Sequence, residues 1–306
     1  MGLLTEVGRR FLLFCHKPRH WRLRPGTVDR RLFREVVIQN QYRLPRRFRR
    51  EDIVLDVGGH VGSFTYAVLR RGAGSVWCCE AGATNFRLLQ HNLFPYRDRV
   101  RLLYGAVWRS DAAVTHLGLH NPQCEANTGA IQVTDGPAAR RVPVVPFDEL
   151  IDRATDGGAR RVRLLKLDCE ASEWPILLTS RRLDRIDAVC GEYHVVPAEG
   201  LFAVPGYSEY SPELLERYLG AQGFRVFTVP EPRRPGQLGL FFAERVGAPA
   251  GLPERGDEGG DHLRGGGAAA EVGGEGAAFG QDALHSGEGA TADAPLPFRF
   301  QQVDGR

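Results

Sequence analysis

The 306-residue sequence lacks the features that would place it in a membrane or disulfide-rich class. No run approaches the ~18–20 consecutive apolar residues that a membrane-spanning helix needs. The apolar stretch 11–15 is too short for the core of a signal peptide and has no small-residue cleavage site after it, so the cytoplasm is the expected location. Six cysteines are too few for a disulfide scaffold, and no C-x-x-C pair indicates a structural zinc site.

Lysine is nearly absent, since Lys17 and Lys166 are the only two in the chain. Residues 1–50 nevertheless hold fourteen Lys or Arg against three acidic residues. This composition predicts a basic, solvated helical extension, with binding to an anionic partner or a membrane surface as the alternative. Nucleic acid is not expected as a partner, because no basic motif with interleaved aromatic residues is present.

Residues 247–306 carry a net negative charge and differ in composition from the rest of the chain. They hold ten acidic residues against four arginines and fifteen of the 37 glycines. No apolar period is sustained there, so the segment cannot bury enough surface to offset the entropy of ordering. We expect a disordered acidic tail, which leaves residues 51–246 as the folded domain.

Residues 51–246 alternate short apolar runs with stretches of helical spacing. The apolar runs are 53–57, 76–80, 100–108, 163–168, 188–193, 225–229 and 238–243, and the helical stretches are 63–71, 85–94, 173–183 and 212–223. This alternation predicts an α/β fold whose mostly parallel sheet is covered by helices and ends in an antiparallel hairpin. Ligands on such sheets bind beyond the carboxyl ends of the strands, so polar residues at those ends are the candidate site.

A glycine-rich turn follows the first run. Asp56 is followed by Gly58, Gly59, His60 and Gly62, and this spacing does not meet the G-x-G-x-x-G pattern of a dinucleotide site. An acid inside the turn would repel a pyrophosphate, but it suits a ligand with an ammonium group, such as S-adenosylmethionine. A tight turn needed only for packing is the structural alternative.

The second run ends in an acid, Glu80, about 20 residues after the glycine turn. A carboxylate there can accept hydrogen bonds from both ribose hydroxyls of either class of nucleotide. The predicted cofactor contacts are Asp56, Gly58, Gly59, His60, Gly62, Glu80 and Ala106.

The fourth and fifth main runs end in clusters of ionisable residues. Lys166, Asp168 and Glu170 alternate with period two, and Glu192 and His194 do the same, so each set shares one face of an extended segment. A salt bridge between Lys166 and a carboxylate is the structural alternative. Because histidine is a common general base near neutral pH, His194 is the predicted base and Glu192 its orienting partner. We expect Asp168 and Glu170 to position the acceptor.

Four segments in this order resemble FkbM-family methyltransferases. They are DVGGHVGSFT at 56–65, Glu80 with NFRLLQHN at 85–92, PFDEL at 146–150 and KLDCEASE at 166–173. The last segment resembles the family's Lys-Ile-Asp-Val-Glu-Gly-x-Glu block and is the most specific. The resemblance covers roughly residues 50–245.

The resemblance implies a class I, Rossmann-like methyltransferase fold with a mostly parallel seven-stranded sheet. It also implies S-adenosylmethionine as methyl donor and O-methylation of a hydroxyl on a sugar, polyketide or similar small molecule. The sequence departs from the family pattern in three places: His60 replaces a common asparagine, the pair Ala81-Gly82 stands where the pattern has a proline, and Ala171 replaces a glycine near the acceptor side.

Other functions stay open at this point. A donor-binding module without catalysis is one, and an NAD-dependent oxidoreductase, disfavoured by the glycine spacing, is another. Because the acids and His194 are possible ligands for a hard metal ion, a metal-assisted reaction is also open, although no metal is predicted.

Overall fold

The computed structural model describes residues 16–121, 126–137 and 139–248. The strands are β1 (Ile53–Val57), β2 (Ser75–Glu80), β3 (Val100–Tyr104), β4 (Ala106–Trp108), β5 (His116–His120), β6 (Gln132–Thr134), β7 (Arg140–Pro146), β8 (Val162–Leu167), β9 (Ala188–His194), β10 (Phe224–Pro230) and β11 (Leu238–Arg245). The α-helices are α1 (Asp29–Phe33), α2 (Ser63–Arg70), α3 (Ala83–Leu93), α4 (Phe147–Ala154), α5 (Glu173–Thr179) and α6 (Pro212–Ala221). A π-helical turn, Arg34–Ile38, continues α1.

The main sheet has seven strands in the order β3-β2-β1-β8-β9-β11-β10. The first five of these pair in parallel, while β11 is antiparallel to both β9 and β10. This order confirms the predicted class I methyltransferase fold, including the antiparallel hairpin strand. All five residues of β1 are buried, as expected for a central strand covered on both faces.

A second, four-stranded sheet has the order β4-β7-β5-β6. The run 100–108, predicted as one strand, is therefore divided at Gly105 between the two sheets. A Cβ on Gly105 would lie 2.9 Å from the carbonyl oxygen of Pro143, so this crossing of backbones favours glycine. The helix predicted over 173–183 is also shorter, because Ser180 adopts an extended conformation after α5.

From residue 16 onward, the basic N-terminal segment is not the solvated extension that its charge predicts. Residues 16–50 pack on the face of the sheet that carries α2, with Trp21 and Phe33 buried in that core. The ring of Tyr66 on α2 lies 4.8 Å from the ring of Trp21 and 6.1 Å from that of Phe33, measured between centroids. Aromatic residues spaced among the arginines thus give this segment an apolar face.

Replacing Trp21 tests whether this segment belongs to the folded core. Trp21 is 2% exposed, so Trp21→Ala is expected to lower the free energy of unfolding by about 3–5 kcal/mol through lost burial and a residual cavity. Urea denaturation followed by circular dichroism measures the change. Arg19→Ala, at an exposed position of the same segment, is the control and should stay within about 0.5 kcal/mol of the native protein. Equal midpoints for the two variants would contradict the packing.

No helix in the described part of the chain is long and apolar enough to cross a membrane. Cys78, Cys79 and Cys190 are buried free thiols, and Cys169 is a half-buried one. The predicted acidic tail lies outside the described residues from position 249 onward.

Candidate active site

A cavity of about 860 Å³ opens at the carboxyl ends of β1, β2, β8 and β9. The glycine turn and Glu80 line one part of it, and the ionisable residues that follow β8 and end β9 line another. Tyr42 from the N-terminal segment and the connection between β10 and β11 also border the cavity. Most of the residues singled out in the sequence therefore face one space, and Asp56 and Gly62 are the two that do not line it.

The glycines of the turn are required by close packing. Gly58 has a φ of 84°, and a Cβ there would lie 1.9 Å from the carbonyl oxygen of Asp168. A Cβ on Gly59 would lie 2.3 Å from the Sγ atom of Cys78. Gly62 caps the start of α2 with a φ of 93° and packs against Leu93. Close packing therefore requires these glycines, as the structural alternative expects. The backbones of Gly58 and Gly59 also line the cavity, where a ligand can approach them.

His60 occupies a left-handed backbone position with a φ of 50°. Asparagine and histidine are both enriched in this conformation, which accounts for the first departure from the family pattern. The backbone N–H of His60 donates to Oε2 of Glu80 over 2.8 Å. The turn and the end of β2 are therefore joined directly.

Glu80 is held by three donors at the edge of the cavity. Besides His60, the N–H of Gly82 donates to its Oε1 over 2.8 Å and the Nδ2 of Asn85 donates over 3.3 Å. Burial raises the pKa of Glu80, and these hydrogen bonds together with His60 oppose that rise. Oε1 thus already accepts two hydrogen bonds and Oε2 one, which leaves one lone pair, on Oε2, free to accept a hydrogen bond from a ligand.

Asp56 lies beneath the turn and not on the cavity. Its side chain is fully buried, accepts a hydrogen bond from Thr65 Oγ1 over 2.7 Å and approaches Lys166 Nζ to 3.4 Å. Since no part of Asp56 is exposed, the predicted direct contact with a ligand ammonium gives way to a role in holding Lys166 and the turn.

Lys166 joins the two halves of the site. Its Nζ donates to the carbonyl oxygen of Val57 over 3.2 Å and lies 3.7 Å from Oδ2 of Asp168, which also accepts a hydrogen bond of 2.7 Å from Tyr42. Burial opposes the charge on Lys166, but Asp168 and Asp56 hold its pKa above the ordinary value. Burial likewise acts to raise the pKa of Asp168, but Lys166 and the Tyr42 hydroxyl lower it below the ordinary value. The predicted salt bridge is therefore present, and Asp168 is ionised.

His194 is surrounded by carboxylates. Its Nδ1 and its backbone N–H both contact Oε1 of Glu173, over 2.9 Å and 2.7 Å, and its Nε2 lies 3.5 Å from Glu170 and 3.6 Å from Glu192. Burial lowers the pKa of His194, but the three acids, Glu173 foremost, raise it to about 10. At neutral pH His194 is an imidazolium, which cannot accept a proton. The structure therefore disfavours the predicted role of His194 as general base.

Glu170 and Glu192, unlike His194, have pKa values close to neutral pH. Burial raises the pKa of Glu170 to about 7 and that of Glu192 to about 8, where Asp168 adds to the rise and His194 opposes it. Both side chains keep partial exposure toward the cavity, 16% and 26%. Two carboxyl groups that titrate near neutral pH thus face the space where an acceptor would bind.

Ala171 has a φ of 75°, directly after Glu170 with a φ of 52°. This left-handed position is the reason why a glycine suits it in the family pattern. Ala171 is fully buried, so the departure lies behind the cavity wall and not on the acceptor side as expected.

Ala106 lines the cavity beside Val107, and its contact with a bound cofactor stays a prediction. Sequence reasoning did not select Tyr42, Glu173, Arg24, Asp29 and Asn85, although all of them are hydrogen-bonded to the site or its support. Glu173 is the last residue of the family-like block at 166–173, and this position is the one sequence feature that pointed to it. Within residues 16–121, 126–137 and 139–248, no group of three or more His, Cys, Asp or Glu side chains is arranged to hold a metal ion.

Solved structures with similar folds include several methyltransferases. A putative RNA methyltransferase from Pyrococcus horikoshii is 12% identical, with 78% of this chain and 96% of that chain covered and a TM-score of 0.36. A precorrin-6y C5,15-methyltransferase from Geobacter metallireducens is 9% identical, with coverage of 73% and 92% and a TM-score of 0.38. TrmK from M. capricolum, in complex with S-adenosylhomocysteine, is 8% identical, with coverage of 70% and 70% and a TM-score of 0.37. These values are too low to bear on substrate or mechanism.

No curated protein is a significant sequence relative of the chain. The methyltransferase FkbM domain, in contrast, matches residues 56–226, which is more than half of the chain and spans the glycine turn, Glu80 and both ionisable clusters. The chain belongs to the FkbM family of S-adenosylmethionine-dependent methyltransferases.

Proposed function

We propose that the protein transfers a methyl group from S-adenosylmethionine to a hydroxyl of a small-molecule acceptor, of the sugar or polyketide type. The observation that carries this proposal is the single cavity that the Glu80 side and the Asp168, Glu170 and Glu192 side share. A donor on the first side would present its methyl group toward carboxyl groups that can orient a hydroxyl and take its proton.

The residues on the Glu80 side fit the donor. Glu80 offers the free lone pair of Oε2 to a ribose hydroxyl, and the bare backbone of Gly58 and Gly59 allows a close approach. Ala106 and Val107 provide an apolar wall suited to an adenine ring. When bound, S-adenosylmethionine supplies a methyl group already activated by the positive sulfur.

The chain's own contribution to the reaction is alignment and proton removal. Asp168 is fixed as a carboxylate by Lys166 and Tyr42, so it can accept a hydrogen bond from the acceptor hydroxyl and orient its oxygen. As the acceptor oxygen forms its bond to the methyl group and the methyl–sulfur bond breaks, S-adenosylhomocysteine would leave as a neutral thioether and the hydroxyl proton would pass to a base. Glu192 takes this role in our proposal, because its pKa of about 8 makes it a stronger base than an ordinary carboxylate.

His194 supports this arrangement as a cation. Its positive charge, anchored by the fully buried Glu173, lies between Glu170 and Glu192 and limits the mutual repulsion of the acids. Removing His194 would raise the pKa values of both neighbours and would leave Glu173 buried without its partner. A loss of activity in His194→Ala would therefore not identify His194 as the base.

Two measurements on the purified protein test the proposed function. Calorimetry with S-adenosylmethionine, S-adenosylhomocysteine and NAD identifies the ligand, and we expect the first two to bind and NAD to fail. Transfer of an isotopically labelled methyl group to a panel of sugars, polyketide-type alcohols and amines then identifies the acceptor atom. Methylation on nitrogen or carbon alone would contradict the hydroxyl acceptor, and donor binding without any transfer would favour a silent binding module.

Glu80→Ala tests the donor site. Loss of a charged acceptor for a ribose hydroxyl is expected to weaken binding of S-adenosylhomocysteine by about 1.5–3 kcal/mol. The control is Glu51→Ala, which removes an exposed carboxylate before the amino end of β1, at the opposite edge of the sheet from the cavity. Isothermal titration calorimetry measures both. An unchanged dissociation constant in folded Glu80→Ala would remove Glu80 from the donor site.

A further inference from the structure

A buried network links the N-terminal segment to Glu80. Asp29, at the start of α1, is completely buried and receives hydrogen bonds from three groups of Arg24. Each of these bonds is 2.9 Å long. Both residues lie before position 56, where the family match begins.

The network reaches Glu80 by two routes. On one, Nη2 of Arg24 donates to Oδ1 of Asn85 over 2.8 Å, and Nδ2 of Asn85 donates to Oε1 of Glu80. On the other, Oδ1 of Asp29 accepts a hydrogen bond of 2.8 Å from Thr128 and lies 3.4 Å from Nε2 of His60. The backbone N–H of His60 completes this second route at Oε2 of Glu80.

Thr128 ties the two routes together. Its hydroxyl lies 2.8 Å from Nε2 of His60, and its carbonyl oxygen accepts a hydrogen bond of 2.9 Å from Nδ2 of Asn85. Burial acts to raise the pKa of Asp29, but the contacts with His60 and Arg24 hold it well below the ordinary range. Asp29 is therefore a carboxylate at every working pH. His60 lies directly beside it, and Asn85 is held through Arg24 and Thr128.

We propose that Asp29 and Arg24 are positioning residues for the methyl donor, which orient Glu80 toward the ribose by fixing His60 and Asn85. Neither residue is expected to touch the donor. The N-terminal segment thereby becomes part of the donor site, although it lies outside the matched domain. This inference rests on the proposed contact between Glu80 and the ribose.

The test is a double-mutant cycle on donor affinity. Asp29→Asn keeps the shape of the side chain but removes the charge that orders Arg24, Thr128 and His60, and we expect it to weaken S-adenosylhomocysteine binding about 10-fold or more. In Glu80→Ala the residue that Asp29 orients is already gone. The double variant should therefore bind within about twofold of Glu80→Ala alone.

Two further measurements separate positioning from general stability. Methylthioadenosine retains the ribose but lacks the amino-acid part, so Asp29→Asn should weaken it by the same factor as S-adenosylhomocysteine. Asp187→Asn is the matched control, since Asp187 is a largely buried partner of Arg161 away from the cavity. It should leave donor affinity unchanged even where it lowers the melting temperature.

Thr128→Val serves if Asp29→Asn does not fold. It removes one hydroxyl between Asp29 and His60, leaves the pair of Asp29 with Arg24 intact, and should give a smaller loss with the same dependence on Glu80. The inference would be overturned by additive losses in the cycle or by a loss that affects S-adenosylhomocysteine but not methylthioadenosine. Unchanged donor affinity in both Asp29→Asn and Thr128→Val would also overturn it. Unchanged affinity in Glu80→Ala itself would instead overturn the proposed donor contact.

Discussion

Glu192→Gln is expected to reduce methyl transfer about 10²–10⁴-fold while donor affinity stays nearly unchanged, because the substitution removes a base and leaves the Glu80 side intact. The native enzyme should lose turnover as the pH falls through about 8, since protonated Glu192 cannot accept the hydroxyl proton. The pH–rate profile of Glu192→Gln should lack this limb, the fall in turnover as the pH decreases through about 8. Steady-state rates between about pH 6 and about pH 9 with a confirmed acceptor measure both effects.

Glu170→Gln is the matched control for this prediction. Glu170 has a similar environment, a pKa of about 7 and a 3.5 Å approach to the same nitrogen of His194, but we assign it to acceptor positioning. Its substitution should raise KM more than it lowers kcat, and the limb near pH 8 should remain. If Glu170→Gln abolishes the limb and Glu192→Gln retains it, the two roles are reversed. A limb near pH 10 that disappears only in His194→Ala would restore the histidine as base.

Much of the fold was predictable because its signal is local. Central parallel strands are covered on both faces, so β1 and β8 appear in the sequence as short apolar runs between helical stretches. The polar residues at the carboxyl ends of the parallel strands, β2 and β9 included, interrupt that apolar pattern. Glu80, Asp168 and His194 could therefore be placed at one edge of the sheet from the sequence alone.

The place of the N-terminal segment was not predictable in the same way. Its aromatic residues are spread among arginines without a regular period, and their partners lie far along the chain. Trp21, for example, packs on Tyr66, and Tyr42 donates to Asp168, 126 residues away. Composition alone favoured a solvated arm, whereas contacts between distant segments determine its burial.

The roles of the site residues depend on protonation, which sequence spacing does not determine. Glu192 and His194 were correctly placed on one face of β9, and this pattern favours a histidine base with a carboxylate partner. The fold adds Glu173 from α5, which contacts both the ring and the backbone of His194. That third acid makes the histidine a cation, so the better base of the pair is the half-buried Glu192.

Lys166→Met is expected to lower the free energy of unfolding by about 3–5 kcal/mol at neutral pH, the scale for removing one partner from a buried ion pair. Lys166 is 3% exposed and faces both Asp56 and Asp168. Methionine fills a similar volume, so the loss reflects two carboxylates left without their cation. Urea denaturation measures it, with Arg161→Met as control, because that half-exposed arginine pairs with Asp187 nearer the surface and should cost about 1 kcal/mol or less.

The pH dependence of this difference identifies its cause. Lys166 lowers the pKa of Asp168 in the folded protein, so the pair contributes stability that is present above the ordinary aspartate pKa and is lost as the pH falls through the lowered value. The variant lacks this contribution at every pH. The gap in unfolding free energy between native protein and Lys166→Met should therefore narrow below about pH 4. A gap of constant size from neutral to acid pH would show that Lys166 stabilises the fold by packing, and that its charge does not hold Asp56 and Asp168 in place.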